Sequence, residues 1–189
     1  MHAAKDTMTP TDPRLLRNVL GCYATGVAVI TARTAANEHI GVTVNSFSSV
    51  SLQPPLVLFS LARTANVLAV FQQAEHFIVN ILSHSQEALS NMFARPSTAS
   101  WAETDYTVGE NGCVLFSNSL AQLECKKTAE MEGGDHLIFL GEVTRVHMHD
   151  AADPLLFYRG CYGTYTRDPW SKLPPPDGSL SDFTVPGWG

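Results

Sequence analysis

The sequence predicts a mainly β fold, an antiparallel barrel with peripheral helices, and three observations support this. Six apolar segments rich in β-branched residues recur between turn residues, at 26–31, 40–44, 56–61, 77–82, 120–125 and 137–146. Only two short helical patterns fall between them, too few to provide a crossover for every pair of parallel strands. No Gly-rich dinucleotide fingerprint is present, which removes the main argument for a doubly wound sheet.

The elements follow in order. Asp12-Pro13 places an N-cap carboxylate before a first-turn proline, and Leu15, Leu16, Val19, Leu20 and Tyr23 continue at helical spacing. An amphipathic helix is expected there, stopping between Gly21 and Gly26. The first two strand segments come next. The run 43–55 then reads as a strand without a strand's apolar stripe: Thr43, Asn45, Phe47, Ser49 and Ser51 share one face, and Ser46 and Ser48 interrupt the valines of the other. A helix over 65–73 is expected with Thr64 as its cap, and another over 86–93 after a Ser83-x-x-Gln86 capping-box pattern. Beyond the last strands, residues 167–189 contain Pro174-Pro175-Pro176, Asp177-Gly178 and Pro186-Gly187 and read as an extended arm or disordered tail. The organisation is therefore an N-terminal extension (1–11), one domain (12–166) and a C-terminal tail (167–189). A chain of 189 residues suits a single well-buried core.

Composition excludes several classes of function. The formal net charge is −6 and no block of Lys or Arg stands out, so the chain lacks the basic footprint of a nucleic-acid binder. No apolar run is long enough to span a bilayer, and residues 1–10 lack the apolar core of a signal peptide, so a cytoplasmic protein is expected. Cys22, Cys113, Cys125 and Cys161 are far apart with no C-x-x-C pair, which argues against a zinc knuckle or redox dithiol. His147 and His149 share one side of a strand at a spacing that can hold a metal, but no third ligand lies near in sequence, and a polar strand end is expected. No Gly-x-Ser-x-Gly nucleophile elbow occurs.

Small hydroxyl side chains in the run 43–55 let a flat ligand approach the backbone while N–H groups and hydroxyls point at it. Read in isolation the run also fits a Ser-rich turn at a sheet edge. Two further clusters accompany it: Glu132-Gly133-Gly134-Asp135-His136 ahead of a strand, and Asp153-Pro154-Leu155-Leu156-Phe157-Tyr158-Arg159-Gly160 after that strand's far end. Together with Thr25-Gly26-Val27-Ala28-Val29-Ile30-Thr31 and the Ser-Phe-Ser-Ser-Val-Ser-Leu-x-Pro-Pro core of 46–55, these make the chain resemble the short-chain flavin reductases, the flavin reductase-like, FMN-binding split-barrel proteins. The resemblance runs from Pro13 to Tyr165 and leaves out the tail.

That resemblance implies an antiparallel split β-barrel and an NAD(P)H:flavin oxidoreductase that reduces FMN or FAD with NADH or NADPH. It implies a homodimer and a partner monooxygenase that receives the reduced flavin. By the same resemblance Asn45, Ser46, Phe47, Ser48, Ser49, Ser51 and Leu52 line the isoalloxazine and ribityl chain, and Arg63, Thr64 and Asn66 face the flavin phosphate. His136 is the implied catalytic residue, on the nicotinamide side with Phe157, Tyr158, Arg159 and Gly160. A flavoprotein that keeps its flavin and reduces another acceptor, and a non-catalytic flavin or haem binder, remain as alternatives.

Overall fold

The computed structural model describes residues 12–95, 101–149 and 153–166, so the expected N-terminal extension and C-terminal tail lie outside the described residues. The architecture is mainly β with few helices. Seven strands form one antiparallel sheet in the order β3 (His39–Val44), β2 (Ala28–Arg33), β6 (His76–Ile81), β9 (Ala121–Gly133), β10 (His136–Met148), β5 (Pro55–Ala62), β4 (Ser48–Leu52). A second, three-stranded sheet joins β1 (Thr25–Gly26), β11 (Leu156–Tyr158) and β12 (Cys161–Gly163), and β7 (Tyr106–Val108) pairs with β8 (Val114–Phe116).

The large sheet has to curl. Its outermost strands, β3 and β4, are joined by only three residues, 45–47. Those residues reach at most about 14 Å, whereas seven flat strands would span about 29 Å at ordinary interstrand spacing. The linker is fastened to the opposite end by Ser46, whose Oγ donates to Ser60 O at 3.0 Å and accepts from Ser60 N at 3.1 Å. β3 and β4 are not hydrogen-bonded to each other, so the curl stays open. Its concave face is filled by Phe59, Phe71, Phe77 and Phe139, all at most 2% exposed, with Phe59 and Phe139 stacked at 5.0 Å and Phe77 edge-on to Phe59 at 5.1 Å.

The first helix, α1 (Pro13–Leu20), starts as expected: Asp12 Oδ1 accepts from Arg14 N at 2.8 Å. It buries no residue, and its apolar stripe of Leu16, Val19 and Leu20 lies open to solvent together with Tyr23. The helix expected over 65–73 is shorter. α2 spans Leu68–Gln73 with Val67 at its N-cap position, and Thr64 makes no cap. Two consecutive turns, closed by Ala65 N to Ala62 O and Leu68 N to Ala65 O, occupy the space of its first turn, while Arg63 N is drawn away to Asp135 O. The Ser83/Gln86 capping box forms as expected: Ser83 N donates to Gln86 Oε1 at 3.0 Å, and a single 3₁₀ turn leads into α3 (Glu87–Phe93).

Candidate functional site

A cavity of about 730 Å³ opens where α1 ends against the small sheet, within the size range of nucleotide-type ligand pockets. From α1 and the segment after it come Arg17, Asn18, Leu20, Gly21 and Tyr23; Thr25 and Phe157 come from the small sheet, Asn45 from the β3–β4 linker, and Arg159 and Gly160 from the β11–β12 turn. Backbone pairing creates the place. β1 pairs with β11, placing Thr25 opposite Phe157, and Arg159 N donates to Gly21 O at 3.0 Å, which ties the β11–β12 turn to the end of α1.

That turn has two residues, since Tyr158 pairs with Cys161. Both central residues take positive φ, Arg159 at 49° and Gly160 at 83°, as a hairpin whose twist matches its strands requires. Glycine adopts this freely. Arginine does not, so Arg159 holds its guanidinium out from a strained position. The guanidinium lies 5.5 Å from the Tyr158 ring centroid and donates to Cys22 Sγ at 3.2 Å. Thr25 Oγ1 is buried without a hydrogen-bond partner among the described residues, although Thr25 lines the cavity.

The Ser-rich run divides by role. Phe47 packs against the main core and Ser46 is spent on Ser60. Ser48, Ser49, Val50 and Leu52 are exposed on β4, which among the described residues pairs only with β5, so the outward backbone groups of this edge lack strand partners there. Ser48 Oγ donates to Ser49 O at 3.2 Å and Ser51 Oγ accepts from Gln53 N at 3.2 Å. A bulge between Ser49 and Ser51 breaks the regular register there.

Arg63 and His136 meet at the β9–β10 turn. Ala62 is opposite His136 across β5 and β10. Arg63 Nε donates to Gly134 O at 2.9 Å, and its guanidinium forms an ion pair with Glu132. Thr64 and Asn66 are exposed beside it. His136, with its side chain 44% exposed, shares a 2.7 Å hydrogen bond between Nδ1 and Asp135 Oδ1. This bond, and then the imidazole's charge, hold the Asp135 carboxyl below its ordinary range. The two further imidazoles take separate partners on β9: His147 Nε2 lies 2.9 Å from Glu124 Oε1, and His149 Nε2 lies 2.8 Å from Gln122 Oε1.

The fold therefore brings Asn45, Phe157, Arg159 and Gly160 onto one cavity and sets Arg63 and His136 at a hairpin turn. Sequence reasoning misses Arg17, Asn18, Tyr23 and Thr25, which line the same cavity. The sequence of α1 advertises only its apolar stripe, and nothing local in Arg17-Asn18 signals a ligand. The donor set suits a flavin or nicotinamide nucleotide: apolar walls from Leu20 and Phe157 for a flat ring, amides from Asn18 and Asn45, an unpartnered Thr25 hydroxyl, and two guanidinium groups.

Comparison with known proteins identifies the family. Residues 20–166 match the family described as "Flavin reductase like domain". The FMN reductase (NADH) of Agrobacterium fabrum is 42% identical over 82% of this chain and 87% of its own length. The stachydrine N-demethylase reductase subunit of Rhizobium meliloti is 44% identical over 70% of this chain and 58% of its own. The chain spans about half the length, 49%, of another Rhizobium meliloti relative that is 43% identical. Among solved structures, the NADH:FAD oxidoreductase of Streptomyces globisporus in complex with NAD and FAD fragments superposes with a TM-score of 0.82 at 36% identity, covering 87% of this chain and 99% of that one. By fold and sequence, the chain belongs to the flavin reductase like family.

Proposed function

We propose that the protein is an NADH-dependent flavin reductase that reduces FMN or FAD and supplies reduced flavin to a partner monooxygenase. The observation that carries this reading is the cavity in which Asn45, Phe157 and Arg159 converge with the orphaned Thr25 hydroxyl, in a chain of this family. Relatives named as reductase components of flavin-dependent monooxygenases, from Acinetobacter baylyi and Rhodococcus jostii, support the partner. When both are bound, reduced nicotinamide supplies a hydride from C4 and the flavin accepts it at N5.

The chain's own residues position and stabilise. The free edge of β4 offers backbone N–H donors, and Ser49 an O–H donor, to the negative charge that develops on the pyrimidine edge of the ring. Thr25 Oγ1 and the Asn45 amide add donors from the cavity wall. His136, held in one orientation by Asp135, faces the nicotinamide side and fixes its approach, which sets the reacting atoms at near-attack distance. The open curl of the seven-stranded sheet is the split form of an antiparallel β-barrel. A C2 homodimer covers the exposed stripe of α1. The need for reduced nicotinamide supports a cytoplasmic location. NADH oxidation by the purified protein, followed with and without added FMN or FAD, tests the reading. Turnover that needs flavin, bound or supplied, is expected; no flavin-dependent turnover with NADH or NADPH overturns it.

A further inference from the structure

The cavity beside α1 carries two positive charges that the described fold leaves unneutralised. Arg17 comes from the last turn of α1 and Arg159 from the β11–β12 turn, and both line the cavity. Among the described residues neither forms an ion pair, whereas Arg63 is paired with Glu132 and Arg145 with Glu110. No Asp or Glu among the described residues lines the cavity, in a chain whose formal net charge is −6. Two uncompensated guanidinium groups are thus concentrated at one place on an acidic protein, a field that selects for an anion.

The C-terminal end of α1 opposes an anion, because a helix carries partial negative charge there. Here that charge is largely taken up. The carbonyls of Arg17, Val19 and Leu20 accept from the N–H groups of Gly21, Cys22 and Tyr23, Asn18 O accepts from the Cys22 thiol, and Gly21 O accepts from Arg159 N. Two full charges with forked donors outweigh the remainder of a two-turn helix. The turn geometry adds to this, since the strained backbone of Arg159 presents its guanidinium at the tip of a hairpin. Arg63 is less suited to holding an anion, since one arriving there would have to displace Glu132.

We propose that Arg17 and Arg159 form a two-armed clamp that holds the phosphate-bearing end of a nucleotide in this cavity. This rests on the flavin reductase reading for the kind of nucleotide, and the phosphate belongs either to the flavin or to the nicotinamide dinucleotide. Arg17 is the assignment that nothing in the sequence motifs supplies. Its planar fork suits bidentate contact with phosphate oxygens, which lysine cannot reproduce.

Equilibrium binding decides it, using the full chain and the variants Arg17→Gln, Arg159→Gln, Arg17→Lys and Arg63→Gln. The probes are FMN, riboflavin and ADP-ribose, each titrated by calorimetry at low and high salt. Both clamp residues are exposed, so their variants are expected to fold, and thermal unfolding checks this. Arg17→Gln and Arg159→Gln should each weaken one phosphate-bearing probe by about ten- to a hundredfold, with riboflavin unchanged and Arg17→Lys intermediate. Loss of FMN affinity assigns the clamp to the flavin phosphate; loss of ADP-ribose affinity assigns it to the dinucleotide. Arg63→Gln should have the smaller effect. Unchanged binding of both FMN and ADP-ribose overturns the clamp, as does a loss for riboflavin equal to that for FMN, which would make the arginines plain wall residues. NADH oxidation by the unsubstituted protein is measured separately: its failure overturns the reductase reading, while the titrations still decide the clamp.

Discussion

At the scale of single residues, the side chains proposed to do chemistry are held by short local contacts. His136 stands at the first position of β10, half exposed, and its Nδ1 is hydrogen-bonded to Asp135. His136→Ala should raise the Michaelis constant for NADH or slow flavin reduction in rapid mixing, a few-fold to a hundredfold for a lost hydrogen bond of about 0.5–3 kcal/mol. Flavin affinity should stay unchanged; if flavin is lost and the NADH kinetics persist, the two sides of the site are exchanged. The Asp135 carboxyl, whose folded pKa is depressed, contributes stability that is present above its ordinary value of 3.8 and disappears as pH falls through the lower folded value. The cysteines behave in the opposite way. Burial pushes the thiols of Cys113 and Cys125 up to about 12, so neither forms the reactive thiolate near neutral pH. Iodoacetamide at about pH 8, close to the ordinary thiol value, should modify Cys22 and Cys161 in the native protein and all four cysteines after denaturation. Mass spectrometry reads the pattern, and native labelling of Cys125 would show that β9 opens.

At the scale of elements, the β9–β10 hairpin is the framework on which the rest is hung. Opposite the extra residue Thr128 of β9, at the register shift between Leu140 and Gly141, the ring of Phe77 fills the space a side chain of residue 141 would occupy. A Cβ at position 141 would lie 2.4 Å from Phe77 Cζ, and Phe77 is fixed edge-on against Phe59. Gly141→Ala should therefore cost about 1–3 kcal/mol, read as a lower denaturant midpoint at unchanged slope. A neutral result would mean that the Phe77 ring turns aside. This hairpin also shows what sequence reasoning reaches. The six strand segments are legible because each has a buried face, whereas β9 continues eight residues past its expected end through Lys126, Lys127, Glu130 and Glu132. Periodicity reports burial, and a hairpin arm exposed to solvent has none to report. α2 begins late for a tertiary reason, since Arg63 N is claimed by Asp135 O in the turn beside the neighbouring strand. The same division holds for the cavity. Asn45 and the Phe157–Gly160 turn stand in recognisable runs, but Arg17 and Asn18 reach the cavity only because the β11–β12 turn docks on the end of α1 through one backbone hydrogen bond.

At the scale of the whole molecule, the uncovered surface lies beside the cavity. Val19, Leu20 and Tyr23 are 60%, 64% and 78% exposed, on and just after a helix that buries no residue of its own. A contiguous apolar stripe of this kind marks an interface, and Leu20 and Tyr23 also line the cavity. In the proposed homodimer the surface that holds the two copies together therefore adjoins the surface that holds the nucleotide. Assembly and ligand binding are then coupled, because covering α1 rigidifies one wall of the cavity and a bound nucleotide steadies α1 for pairing. Val19→Glu, which adds a charge to the stripe without touching the cavity lining, separates the two. Light scattering should find the unsubstituted chain at twice its monomer mass of 20.5 kDa and the variant at or near the monomer mass, with the shift opposed by added FMN. Flavin affinity of the variant should fall together with its association, since by linkage each equilibrium moves the other by the same factor. If the variant dissociates while binding FMN as before, the interface and the cavity are independent; if it remains a dimer, another face joins the copies and α1 is covered by something else.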